Sequence, residues 1–118
     1  MPLVNLTKEP IRLHDTAGAF VEIPPDPRHL GVVAVGDHRS VTDGNGHAFS
    51  LNVRTIKEIK GMPEPEADTV YIVPVEVAMA LQAVREDVVF PADEAHVRNT
   101  EGQLQRITHL RRIVSRLT

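Results

Sequence analysis

The stretch Val70-Tyr-Ile-Val-Pro-Val-Glu-Val-Ala-Met-Ala-Leu-Gln-Ala-Val-Arg-Glu-Asp-Val-Val-Phe-Pro91 changes its hydrophobic period twice, and few folds accommodate that. The apolar run Val70 to Val73 suits a strand. Pro74 suits the first position of a helix, and Val77, Ala80, Leu81 and Val84 then recur at helical spacing. A second apolar run, Val88-Val89-Phe90, is expected to stop at Pro91. A strand, a helix and a strand in succession are expected to form a right-handed parallel unit. Ligands of such units sit at the strands' carboxyl ends, beside free helix amides.

Other segments read as antiparallel. Leu30 to Val41 and Ala48 to Ile59 flank Asp43-Gly44-Asn45-Gly46, a strong hairpin signal. Val33, Val35 and Val41 share one parity, as do Phe49, Leu51 and Val53. Both sets can face one core only if paired residue numbers sum to an even value, which a three-residue loop from Gly44 to Gly46 provides by pairing Val41 with Phe49. His38 then lies opposite Asn52 on the outer face. Nearer the start, Val4-Asn-Leu, Ile11-Arg-Leu-His and Ala19 to Ile23 read as a small meander with a turn at Asp15-Thr-Ala-Gly18. Pro24-Pro25-Asp26-Pro27 lacks most of its amide donors and is expected to be a stiff surface loop. Gly61 to Asp68 is a Pro-rich acidic loop. A last hairpin is expected around Asn99-Thr-Glu-Gly102, with Gly102 in the left-handed position. Leu110, Ile113, Val114 and Leu117 have the spacing of a short terminal helix. The predicted fold is therefore α+β, a mixed and mostly antiparallel sheet with one main helix and a C-terminal hairpin and short helix, in a single domain spanning 1–118.

Composition narrows the chemistry. One Tyr, three Phe and no Trp leave an aliphatic core and few platforms for stacking bases, which argues against nucleic-acid binding of that type. The absence of Cys removes disulfides and thiolate sites and suits the cytoplasm. Met-Pro-Leu-Val-Asn-Leu-Thr-Lys shows no basic region before an apolar one, so neither a signal peptide nor a membrane span is expected. The net charge of -3 is mild, yet Arg106, Arg111, Arg112 and Arg116 gather in a tail without acids.

Val4-Asn-Leu-Thr7, Ile23-Pro-Pro25, Gly61-Met-Pro-Glu-Pro65, Tyr71-Ile-Val73, Val77-Ala78 and Arg85-Glu-Asp-Val-Val-Phe-Pro91 follow one another in an order and spacing that resembles a family of small uncharacterised proteins of phages and bacteria, especially actinobacteria and their viruses. The resemblance runs over most of the chain and implies a shared fold, with no activity attached. Members commonly read Asn-Leu-Thr-Pro-His where this chain has Lys8-Glu9 after Thr7, and often carry Ser where it has Pro74.

Six His residues lack the spacings that hold a metal, so no metal and no cofactor is expected. Arg85 and Asp87 straddle the helix exit and read as a structural ion pair or a helix C-terminal cap. Asp93, His96 and Arg98 follow the second strand, where they would meet Pro74 and Glu76 at the helix start. An Arg and a His beside helix amides would suit an anionic small molecule or a nucleotide. Three functions fit this layout. The first is a non-catalytic accessory or binding protein of phage or mobile-element type, self-associating as a homo-oligomer, that holds an anionic ligand or a protein partner. The second is a metal-independent nucleotide-processing enzyme using His96, Asp93 and Arg98. The third is a nucleic-acid contact through the four tail arginines.

Overall fold

The computed structural model describes residues 2–28, 30–81 and 84–114, and of Asp93 only the backbone. It is sheet-rich with one short helix. Eight strands are described: β1 (Leu3–Asn5), β2 (Ile11–His14), β3 (Phe20–Ile23), β4 (Gly31–Thr42), β5 (Ala48–Lys60), β6 (Val70–Ile72), β7 (Val88–Arg98) and β8 (Leu104–Arg111), with α1 (Val75–Leu81) between β6 and β7.

The strand–helix–strand unit is present and parallel, with Tyr71 beside Val88 and Ile72 beside Val89. The carbonyl of Pro74 accepts from the amides of Val77 and Ala78, so the proline caps a helix that it could not have continued from a strand. The buried face of α1 differs from the expected one: Val77 and Ala78 are buried and Leu81 packs on the core, while Ala80 and Val84 are exposed. Val84 lies beyond Leu81, whose carbonyl closes the helix by accepting from Val84 and Arg85.

β7 does not stop at Pro91 but runs to Arg98, with a register shift between Ala92 and Ala95. The bonds from β6, Tyr71 N–H to Asp87 C=O and Val73 N–H to Val89 C=O, step by two along β7. The next donor position on that side is residue 91, where β6 has already turned toward the helix. A proline there removes no ladder bond.

The opening segment is not a meander. β1 pairs in parallel with β6, giving a four-stranded order β1-β6-β7-β8, while β2 and β3 form their own antiparallel hairpin lying beside β8. Asn5, only 1% exposed, explains the detour. Its side-chain amide donates to the carbonyls of Glu9 and Ile23, and its side-chain oxygen accepts from the amide and hydroxyl of Thr7. Its own carbonyl accepts from the Asp26 amide, tying the proline-rich loop to the strand. With Leu6 in the core, the Asn-Leu-Thr run is thus a turn and an anchor at once.

Three hairpin tips share one device. Asp15, Asp43 and Asn99 each accept, through the side-chain oxygen, from the backbone amides two and four residues on. Each loop ends in a glycine with positive φ: Gly18, Gly46 and Gly102. The last of these is the expected C-terminal hairpin. The terminal helix is not formed in the described residues: Leu110 belongs to β8 opposite Pro91, Ile113 and Val114 lie outside any element, and Leu117 is outside the described residues. An isolated stretch of about ten residues gains too little from helix formation to overrule a ready strand partner.

The core is small. Leu6, Tyr71, Val73, Val77, Ala78, Val88 and Phe90 form it, with Leu30, Val32 and Ile59 packed against it from the base of the β4–β5 hairpin.

Candidate functional site

The β4–β5 hairpin leaves the body as an arm. Its register is the expected one, with Val41 opposite Phe49 and His38 opposite Asn52. Near the base, Glu58 opposes Val33 but Ile56 opposes Ala34, so Lys57 is an extra residue bulged out of β5. The bulge brings Ile59 onto the same face as Ile56. Val32, Ala34, Ile56 and Ile59 share the face that meets the body, where all four are partly buried. Beyond the bulge, Val35, Val41, Phe49, Leu51 and Val53 share the opposite face with Val33, Asp37 and Arg39.

That second face was expected to cover a core, and it covers none. Val35 is 53% exposed, Phe49 55% and Leu51 45%, with Val33 and Val41 also in solvent. The radius of gyration is 18.0 Å, against about 13.5 Å for a compact chain of this length. The accessible surface is 8569 Å²; a compact monomer of the same mass exposes about 6300 Å². Soluble monomers rarely leave a contiguous aliphatic surface of this kind uncovered, and where they do it marks an interaction site.

The arm is held at its root. Arg54 of β5 forks onto Glu76 of α1, Nε to Oε2 at 2.7 Å and Nη2 to Oε1 at 3.1 Å. Both side chains are exposed enough that the pair contributes only about 0.5 kcal/mol, so it orients the arm more than it stabilises it.

Arg54 and Glu76 also line a cleft of about 1070 Å³ between the arm base, the β2–β3 hairpin and the sheet. Its floor includes Leu6, Leu30 and Val32, and its rim carries Arg12, Arg54 and Arg106. Each arginine is bonded to a glutamate that lines the same cleft: Arg12 to Glu22, Arg54 to Glu76 and Arg106 to Glu94. An anion entering here would have to displace a carboxylate from each guanidinium it engaged.

The residues picked from sequence are not brought together. Pro74 and Glu76 line the cleft, but Glu76 is engaged by Arg54. His96 lies on β7 opposite Arg106, exposed and roughly 15 Å of strand beyond Pro91. Arg98 is at the far end of β7, where Nη1 donates to the Gly102 carbonyl at 2.8 Å and closes the hairpin tip. The extension of β7 past Pro91 carries His96 and Arg98 away from the helix start. The backbone of Asp93 belongs to the irregular part of β7. Arg85 and Asp87 do form a structural ion pair, mostly buried, with Arg85 also reaching the Pro63 carbonyl. Among the described residues no three His, Asp or Glu side chains gather to hold a metal ion. No described helix is long and apolar enough to cross a membrane.

Sequence reasoning found the arm's register and its aliphatic stripe but assigned the stripe to the core. The core that forms is built on Leu6, α1, β6 and β7, and from the strands of the hairpin it takes Val32 and Ile59, both from the other face. Comparison with protein-family models, with curated proteins and with solved structures finds no match for this chain.

Proposed function

We propose that the chain is a non-catalytic accessory protein, of phage or mobile-element type, that works by binding protein through the β4–β5 arm. The observation that carries this reading is the aliphatic face of Val33, Val35, Val41, Phe49 and Leu51, exposed along an arm whose base packs on the core. The charge balance of the cleft speaks for a secondary role there, because its arginines are already neutralised. An enzyme built on His96, Asp93 and Arg98 would need those groups to converge with the helix start, and the run of β7 separates His96 and Arg98 from it.

The test is photo-cross-linking with benzoylphenylalanine placed at position 49 or at position 50, neighbours on opposite faces of β5. A binding face gives protein adducts from position 49 and few from position 50. Equal yields from both, or none from 49, would overturn the reading.

A further inference from the structure

We propose that the occupant of the arm's aliphatic face is a second copy of this chain, with the two arms packed face to face and antiparallel about a two-fold axis that crosses between Asp37 and Arg39. This inference rests on the arm being a protein-binding surface. It deepens that reading by naming the partner and the register.

The register follows from the order of side chains on the face. Along β4 it reads Val33, Val35, Asp37, Arg39, Val41, and along β5, in the same levels, Glu58, Thr55, Val53, Leu51, Phe49. A two-fold axis lying across the strands between the levels of Asp37 and Arg39 keeps β4 over β4 and inverts the levels. Asp37 of each copy then meets Arg39 of the other, Val35 meets Val41, and Val53 meets Leu51. The interface is isologous, each contact made twice.

Parallel arms do worse. With the axis along the strands, β4 lies over β5 at the same level, and Asp37 would be seated on Val53 and Arg39 on Leu51. Each copy's Asp37–Arg39 pair would then be desolvated against aliphatic side chains with no charge from the other copy to face it, a cost that the antiparallel arrangement avoids. The charge pattern therefore selects the antiparallel arrangement.

In the single chain Asp37 and Arg39 already touch, Oδ2 to Nε at 3.4 Å, with both side chains well over half exposed. In the pair they become a closed set of four alternating charges flanked on both sides by aliphatic layers. The chain as a whole exposes about 2200 Å² more than a compact monomer of its mass, an excess larger than the roughly 800 Å² that a stable interface needs from each partner. Two sheets facing at about 10 Å is the ordinary geometry of such a core. The bodies of the two copies would lie at opposite ends, leaving both clefts open.

Sedimentation velocity on the full chain over a concentration series tests this. The wild type is expected to be an elongated dimer. Asp37→Arg and Arg39→Asp each place like charges across the axis twice, and each is expected to raise the dimer Kd at least about ten-fold. The double variant Asp37→Arg/Arg39→Asp restores both pairs and the dimer. An equimolar mixture of the two single variants also restores both pairs and is expected to form a heterodimer, which a variant that merely misfolds could not do. A wild type that stays monomeric, single variants that dimerise normally, or a mixture that does not recover would overturn the proposal. A monomeric wild type whose position 49 still cross-links to other proteins overturns the second-copy inference alone. A monomer with no such cross-link overturns the arm reading as well.

Discussion

Arg85 lays its guanidinium on Asp87 as a fork, Nε to Oδ1 and Nη2 to Oδ2, both at 2.7 Å, with both side chains largely shielded from water. The remaining Nη1 donates to the carbonyl of Pro63, and the guanidinium carbon stands 6.0 Å from the centre of the Tyr71 ring. One side chain thus joins the helix exit, the start of β7 and the proline-rich loop.

Replacing Arg85 by Ala is expected to lower stability by about 2 kcal/mol, because Asp87 and the Pro63 carbonyl both lose a shielded donor. Arg85→Lys should recover little of this, since an ammonium cannot reproduce the fork. Urea unfolding midpoints of the three proteins check both statements.

Acid should act through the same pair. The hydrogen bond from Arg85 holds the Asp87 carboxyl below its ordinary range. A carboxylate with a depressed folded-state pKa contributes stability that is complete above the unfolded value of about 3.9 and is lost as pH falls through the folded one. The wild type should therefore lose stability below about pH 4 more steeply than Arg85→Ala, in denaturant titrations repeated down the pH scale.

Asn5→Ala should cost about 2–3 kcal/mol, seen as a fall in Tm of roughly 10 °C, because the carbonyls of Glu9 and Ile23 lose their donor beside the core. Asn5→Asp is expected to be no better, as a carboxylate offers those carbonyls no N–H.

Two glycines make a matched pair. Gly102 has φ of +78° at a hairpin tip, and a methyl there meets nothing, so Gly102→Ala should cost about 1 kcal/mol through backbone strain alone. Gly36 sits in β4 with equally open space and no positive φ, so Gly36→Ala should be neutral or stabilise by about 0.5 kcal/mol. Calorimetric scans of the two variants would separate the sign.

Leu51→Thr on the arm should shift the stability of the monomer, measured at concentrations below the dimer Kd, by less than about 0.5 kcal/mol. Val77→Ala in the fully buried helix face should cost about 2 kcal/mol or more. At that dilution, comparable losses in thermal unfolding would mean that the arm face is covered within the monomer.

What the sequence made legible was local. The change of period around Pro74 marks the parallel unit, and the spacing between Val41 and Phe49 fixes the hairpin register, because both depend on residues close in the chain. The pairing of β1 with β6 was hidden, since nothing in Val4-Asn-Leu distinguishes a distant parallel partner from an adjacent antiparallel one. Pro91 misled for a related reason: whether a missing amide matters depends on which neighbour that position faces. The same blindness placed His96 and Arg98 near the helix start, from which the length of β7 removes them. Leu110 and Ile113 carried a helical spacing that a ready partner in β7 overrode for the first of them.

Lys57 lets one strand keep two rhythms. Ile56 and Ile59 stand three residues apart, yet the extra residue between them lets both face the body beside Val32 and Ala34. Under strict alternation Ile59 would fall on the side of Phe49, Leu51 and Val53, and the handle of the arm would lose part of its grip. β4 alternates without a break, so the adhesive side of the blade is the reverse of the side by which the handle is held.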